Sequence, residues 1–223
     1  SEISKVNREA SRHPVKVSAE LFSLLETAQK YSEASGGVFD ITYASVGYLF
    51  DYRKHLRPDT DAIDKALPTV DYRQLKLDPV NRTVSFGMPG MRIDLGGIAK
   101  GYAVDRMAEL MEEWEIPHAL VHGGYSSVLA LEAPPGQDGW PLTLSAPGSR
   151  DGRVLARVPA RRKALSASGL QKGDHILDPR SGLPVRDRTA AWVAIPWEDG
   201  AFPAAVADAL STTGFAAQRS TGA

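Results

Sequence analysis

Cysteine is absent from the 223-residue chain. That excludes disulfides, thiolate nucleophiles and every cysteine-ligated zinc site. An excess of one charge is also missing, since 26 Lys and Arg stand against 27 Asp and Glu, a formal net charge of -1. A chain so nearly neutral offers no electrostatic footprint for a nucleic acid or an anionic membrane surface. No stretch approaches the roughly 18 consecutive apolar residues that read as a transmembrane helix. Low-complexity tracts and long linkers are lacking too, so nothing divides the chain into independent domains. No signal peptide is visible in the opening "SEISKVNREA". A cysteine-free chain suits an exported protein and a cytoplasmic one equally.

What is present is ordinary for a globular protein: 43% apolar and 24% charged residues, enough for a packed core without staples. Residues 18–35 predict an amphipathic helix, with Leu21, Leu24, Leu25, Ala28 and Tyr31 at helical spacing, Ser18 as N-cap and Gly36-Gly37 as the stop. The stretch from Val38 reads as extended and then helical. The charged, proline-containing segment 51–73 reads as mostly surface connection, and 75–86 as a hairpin around Pro79-Val80-Asn81. Residues 91–95 predict a short strand. A second helix follows in "GGIAKGYAVDRMAELMEEWE", with Ile98, Tyr102 or Ala103, Met107, Leu110 and Trp114 on its buried side. "HALVHGGYSSVLALE" gives two strands around a Gly-Gly break, and further strands are expected at 141–145, 153–158 and 163–167, with a buried one at 189–196. Residues 203–218 predict the third helix, opened by Pro203. Few long helices and many short strands, partly segregated, argue for an α+β fold with short mixed or antiparallel sheets and two similar lobes in one domain.

Four stretches could carry chemistry. In "DLGGIAKG" (94–101), glycines at a strand-to-helix turn let backbone approach a ligand and offer free N–H groups to an anion, or they make a tight connection and nothing more. In "ADALSTTG" (207–214), Asp208 and Thr212 lie four apart on one helix face. A carboxylate with a hydroxyl is a hard-oxygen pair suited to Mg²⁺ or Ca²⁺. The alternative is a solvated helix face, against which stands the apolar company of the acid. In "ALVHGGYSSV" (119–128), Gly123-Gly124 marks a bulge or a close backbone approach, with His122, Ser126 and Ser127 as ligand-bonding candidates; a plain hairpin is the alternative. "LSASGLQKGDHILDPRSG" (165–182) sets Ser166 and Ser168 before His175 and Asp178. A Ser-His-Asp hydrolase is disfavoured there, because no G-x-S-x-G elbow or strand–turn–helix context surrounds either serine. His13 and His55 read as surface positions.

Taken in this order, "GGVFDITYASV", "IDLGGIAKGYAVDRMAELM", "ALVHGGYSSVLAL", "SASG" with "HILDPRSGLPV", and "ADALSTT" resemble the FAD:protein FMN transferase (ApbE) family over residues 1 to about 215. The resemblance implies an α+β fold over residues 1–223 that lacks the family's N-terminal strand and helix. It implies Mg²⁺ as metal and FAD as donor, with the FMN half passing to a Ser or Thr hydroxyl of an acceptor flavoprotein and AMP leaving. FAD hydrolysis to FMN and AMP, and non-catalytic flavin binding, are the alternatives. By the same resemblance, Phe39, Asp40, Thr42, Gly96, Gly97, Lys100, His122, Gly123, Gly124, Ser126, Ser168, Gly169, His175 and Asp178 contact the flavin nucleotide. His175 stands beside the pyrophosphate as a catalytic base. Asp208, Thr212 and the Gly97 carbonyl hold the metal, and Asp208 is counted with His175 as catalytic. Export, sometimes as a lipoprotein, is common in such a family.

Overall fold

The computed structural model describes all residues except 52, 53, 55, 125, 147–152, 171–174, 187, 199–201 and 218–223. His55 and the end of the third expected helix lie outside the described residues. In chain order the elements are α1 (Glu2–Glu9), β1 (Val15–Lys16), α2 (Ala19–Ala34), α3 (Ala44–Gly47), α4 (Thr60–Ala66), β2 (Leu75–Asp78), β3 (Thr83–Phe86), α5 (Ala99–Glu113), β4 (Leu120–His122), β5 (Ser127–Ala130), β6 (Trp140–Ser145), β7 (Val154–Ala160), β8 (Lys163–Gly169), β9 (Leu177–Asp178), β10 (Leu183–Pro184), β11 (Ala190–Pro196) and α6 (Pro203–Ala216). All strand pairs among the described residues are antiparallel, and the fold is the expected mixture of helices and short sheets. The chain divides into two compact units, one of Ser1–Leu95, Gly173–Val185 and Ala216–Ala223, the other of Gly96–Lys172 and Arg186–Phe215.

In the first unit α2 forms where its spacing predicts. Ser18 Oγ accepts the Leu21 N–H at 3.2 Å, and Leu21, Leu24, Leu25 and Ala28 are buried. The hairpin β2–β3 turns on Asp78, which accepts the Val80 N–H at 2.9 Å and an Asn81 side-chain N–H at 2.7 Å. With β1 it makes a three-stranded sheet in the order β1–β3–β2. Residues 91–95 form no strand. Ile93 is buried, but its N–H donates to Asn7 Oδ1 at 2.8 Å and its carbonyl accepts from Asn7 Nδ2 at 2.9 Å, so one side-chain amide takes the place of a neighbouring strand. Nor is 51–73 only surface connection. Asp59 caps α4 by accepting the Ala62 N–H at 2.8 Å, and α4 buries Ile63 against Val46 and Leu177. The charge that suggested a loop lies on the outer face of a short amphipathic helix. α1, where no helix was expected, buries Val6 alone among its eight residues.

The stretch "HILDPRSG" is the β9–β10 hairpin. Asp178 Oδ1 accepts the Arg180 N–H at 2.9 Å, and Gly182 follows at φ 68°. A Cβ on Gly182 would stand 3.0 Å from Ile63 Cγ2 and 3.2 Å from Val46 Cγ1, so both backbone conformation and packing ask for glycine.

The second unit is built on a four-stranded sheet in the order β11–β8–β5–β4. Side chains alternate across it. One face carries Val121, Leu129 and Ala164 into a core shared with Val104 and Ala108 of α5 and Ala204 and Ala207 of α6. The opposite face carries Ala130 and Leu165 against Trp140, Leu142, Leu144 and Ala160 of the β6–β7 ribbon. β11, expected to be buried, is half-buried for most of its length. It is an edge strand, bonded among the described residues only to β8.

The expected buried side of α5 holds at its start, where Ile98 is buried and Tyr102 half-buried, and fails further along. Met107, Leu110 and Trp114 are 46%, 51% and 75% exposed, and the buried row is Gly101, Val104, Asp105 and Ala108. The reason is the closeness of α6: a Cβ on Gly101 would lie 2.0 Å from the Ala204 carbonyl oxygen. A crossing that tight admits only small side chains, so the large apolar residues of α5 fall outside it.

Candidate active site

The helix-covered face of the second unit's sheet changes character along its strands. At one end it presents Leu129 and Ala164; at the other, Ser127 pairs with Ser166, and Ser168 follows on β8. The period-2 alternation that placed Ala164 in the core therefore places Ser166 and Ser168 on the same face, under α6. There α6 presents Asp208, Ser211 and Thr212.

Asp208 is buried with its carboxylate held from three sides. Oδ2 accepts the Gly101 N–H at 3.1 Å. Ser166 Oγ lies 3.1 Å from Oδ1 and 2.9 Å from the Ser126 carbonyl. Lys100 Nζ donates to Ser126 Oγ at 2.6 Å and lies 3.5 Å from Asp208 Oδ1. Gly101 is in the first turn of α5, whose N-cap residue Ile98 has no side chain able to cap. The acid of α6 therefore serves as the cap of α5, where the helix dipole also favours a negative charge. Ser168 Oγ is 2.9 Å from Ser211 Oγ and 3.3 Å from Thr212 Oγ1. Ser211 and Thr212 each donate back to the Asp208 carbonyl at 3.0 Å.

Of the residues expected at the site, Lys100, Ser126, Ser168, Asp208 and Thr212 meet in this hydroxyl-rich cluster. Gly123 belongs beside it: its N–H closes the β4–β5 turn on the Ser127 carbonyl at 2.8 Å, and a Cβ there would stand 3.3 Å from Val104 and 3.6 Å from the Lys100 carbonyl. Gly124 follows at φ 75°, His122 is exposed at the end of β4, and Gly169 ends β8. Gly96 and Gly97 form the turn into α5.

The remaining expected residues are in the first unit. Phe39 is core. Asp40 Oδ1 accepts from Thr42 N at 2.8 Å and Thr42 Oγ1 at 2.7 Å, and Oδ2 accepts from Tyr72 N at 3.0 Å. Burial pushes the Asp40 carboxyl above its usual range against these bonds. Asp178 is gripped by Arg180 through Nε at 2.9 Å and Nη2 at 2.8 Å. The polar atoms of Asp40, Thr42 and Asp178 are thus engaged in shaping their own unit, and His175 is half-buried at the start of the hairpin.

Ser127, a ligand-bonding candidate in the sequence, joins the cluster through Ser166 Oγ at 3.3 Å, whereas Ser166 was weighed only as a hydrolase serine and Ser211 was not assigned. Their signal was available: Ser166 and Ser168 share a strand face, and Ser211 precedes the metal candidate Thr212. Asp105 was missed as well. It is buried on α5 and accepts the Ala204 and Ala205 N–H groups at 2.8 and 2.7 Å.

The donor set suits a hard cation. The Asp208 carboxylate, the Ser166 hydroxyl 3.1 Å from it and the Thr212 hydroxyl one turn along the same helix are all oxygen donors, and among the described residues no group of three or more His, Cys, Asp or Glu is placed to hold a metal ion. The family model of the ApbE family matches residues 1–223. The chain belongs to the ApbE family. Among its relatives, a FAD:protein FMN transferase of Klebsiella pneumoniae (strain 342) is 28% identical over 83% of this chain and 60% of its own length. Another of that name, from Treponema pallidum (strain Nichols), is 29% identical over 82% of this chain and 57% of its own length. The chain thus spans about three fifths of the length of these relatives. The crystal structure of the ApbE protein of Thermotoga maritima superposes with a TM-score of 0.82 at 29% identity, over 96% of this chain and 70% of that one. The flavin transferase ApbE of Vibrio cholerae has the same fold, with a TM-score of 0.82 at 23% identity over 98% and 72%. Among the described residues no helix is long and apolar enough to cross a membrane.

Proposed function

We propose that this ApbE-family chain carries the FAD site of a Mg²⁺-dependent transferase that moves FMN from FAD to a Ser or Thr hydroxyl of an acceptor flavoprotein, releasing AMP. One observation carries the reading: a buried carboxylate, Asp208, sits at the N-terminus of α5 with Lys100 and Ser126 beside it and Thr212 one turn along its own helix. The names of the relatives add the substrate and the reaction.

Asp208, Thr212 and the Gly97 carbonyl would hold the metal. When bound, Mg²⁺ supplies charge neutralisation on the phosphoryl oxygens. Lys100, a compact ammonium on a flexible stem, suits a phosphate oxygen as a point charge. Glycines at 96, 97 and 123 let backbone approach the nucleotide without a Cβ in the way. In the transfer, the acceptor hydroxyl oxygen bonds to the FMN phosphorus, the bond from that phosphorus to the bridging oxygen breaks, and AMP leaves with the bridging oxygen. The hydroxyl proton goes to His175, the base that the family pattern assigns.

The test is to incubate the chain with FAD, Mg²⁺ and acceptor flavoprotein subunits and to weigh the acceptors. A mass gain of one FMN group, lost on omitting the metal, is the expected result. AMP release without any acceptor would identify a hydrolase instead, and FAD binding without turnover under any divalent metal a non-catalytic flavin-binding protein.

A further inference from the structure

Asp208 already has a counter-cation. Lys100 Nζ lies 3.5 Å from Oδ1, with the Asp208 side chain 2% exposed and that of Lys100 41% exposed. Lys100 is in the first turn of α5, the end of the dipole that disfavours a cation. It is held there by Asp208 and by Ser126 Oγ at 2.6 Å. The Gly101 N–H adds partial positive charge to the same carboxylate from the other side. Among the described residues no group of three or more His, Cys, Asp or Glu is placed to hold a metal ion. One carboxylate balances one ammonium, and a divalent cation placed beside them leaves the cluster with surplus positive charge.

We infer that Lys100 makes metal binding and pyrophosphate binding depend on each other. The inference rests on the metal and FAD reading of this cluster. A cation entering alone has to share Asp208 with the ammonium at close range. A pyrophosphate diester brings a negative charge on each phosphate. Its oxygens accept the cation and also the ammonium, which leaves Asp208 on its half-exposed stem. The metal therefore binds weakly alone and tightly with the dinucleotide, and by linkage the dinucleotide gains the same factor from the metal. The ammonium keeps the site charge-balanced when empty and admits a divalent cation together with its phosphate substrate.

The experiment titrates Mn²⁺ by its electron paramagnetic resonance signal, with and without saturating ADP-ribose, a pyrophosphate that is not a flavin donor. The parent is expected to bind Mn²⁺ about tenfold or more tightly with ADP-ribose present. In Lys100→Met and Lys100→Gln, Mn²⁺ alone should bind about tenfold more tightly than to the parent, and the dependence on ADP-ribose should shrink to about twofold or less. Lys100→Gln keeps a hydrogen-bonding group near Ser126 without the charge, and circular dichroism checks the fold of both. If the parent binds Mn²⁺ equally with and without ADP-ribose, or if both variants keep the full dependence, the coupling through Lys100 is overturned. Asp208→Asn separates the two readings. If it loses Mn²⁺ while the coupling is absent, the metal site stands and only the Lys100 inference fails. If it binds Mn²⁺ like the parent, the metal assignment fails and the inference with it.

Discussion

Asp105 of α5 accepts the Ala204 and Ala205 N–H groups that open α6, at 2.8 and 2.7 Å, while Asp208 of α6 accepts the Gly101 N–H that opens α5, at 3.1 Å. Each helix is capped by an acid of the other. The two acids differ in what else they touch. Asp105 faces backbone N–H groups among small apolar side chains, whereas Asp208 faces Lys100 and Ser166. One is suited to holding the crossing, the other to chemistry.

Asp208→Ala should abolish divalent-cation dependence and nearly all FAD turnover. Thr212→Val should weaken Mg²⁺ affinity less, because a water can replace a neutral hydroxyl. His175→Ala should spare metal binding and slow the chemical step by about 10²–10⁴-fold. Metal titration and single-turnover rates on the three variants check the ordering. Unchanged Mg²⁺ affinity and turnover in Asp208→Ala would reduce the cluster to helix capping alone.

Asp105→Ala strips two buried N–H groups of their acceptor and should cost about 2 kcal/mol or more in urea unfolding, with no direct effect on metal affinity. Its pH dependence has a definite sign. Burial pushes the Asp105 carboxyl from 3.8 up to about 7, against the two N–H bonds that lower it. The folded chain then holds a proton that the unfolded chain has released. The stability this contributes is full below the unfolded value near 3.8 and is lost as pH rises through about 7. The parent should therefore lose stability relative to Asp105→Asn between about pH 4 and 7 and hold level above that. Parallel unfolding curves across this range would refute the assignment.

Gly101→Ala should be far more harmful than its size suggests. Its Cβ would fall 2.0 Å from a backbone oxygen of α6, which cannot move aside as a side chain can. A loss of about 3 kcal/mol or more is expected, together with weakened Mn²⁺ binding, because the Gly101–Asp208 contact is pulled apart. Equilibrium unfolding and the metal titration measure both.

Trp114→Gln should change stability by no more than about 0.5 kcal/mol, since the indole is largely in water. Val104→Ala, on the buried row of the same helix, should cost about 1–3 kcal/mol. Similar losses in the two would mean that α5 is rotated from the orientation described here.

Much of this was legible in local pattern. The α2 stripe of Leu21, Leu24, Leu25 and Ala28, the β2–β3 turn at Pro79-Val80-Asn81, and the pairing of β4 with β5 around Gly123-Gly124 all follow from short-range periodicity and turn chemistry. Asp208 and Thr212 were visible as an oxygen pair because helical geometry sets residues four apart on one face and an acid in so apolar a segment needs a partner. Local pattern failed where a distant residue decides the outcome. Ile93 looks like a strand residue but is held by the side chain of Asn7, far away in sequence. The large apolar residues of α5 look like its core, yet the approach of α6 at Gly101 excludes them and selects Val104, Asp105 and Ala108. Composition and motif order thus pointed to the family, to most of the elements and to part of the candidate cluster. Only the tertiary structure decided that Ser166 and Lys100 meet Asp208 and that Asp105 and Asp208 exchange helix caps, because which polar groups satisfy one another is settled by packing across the chain, where no sequence period reaches.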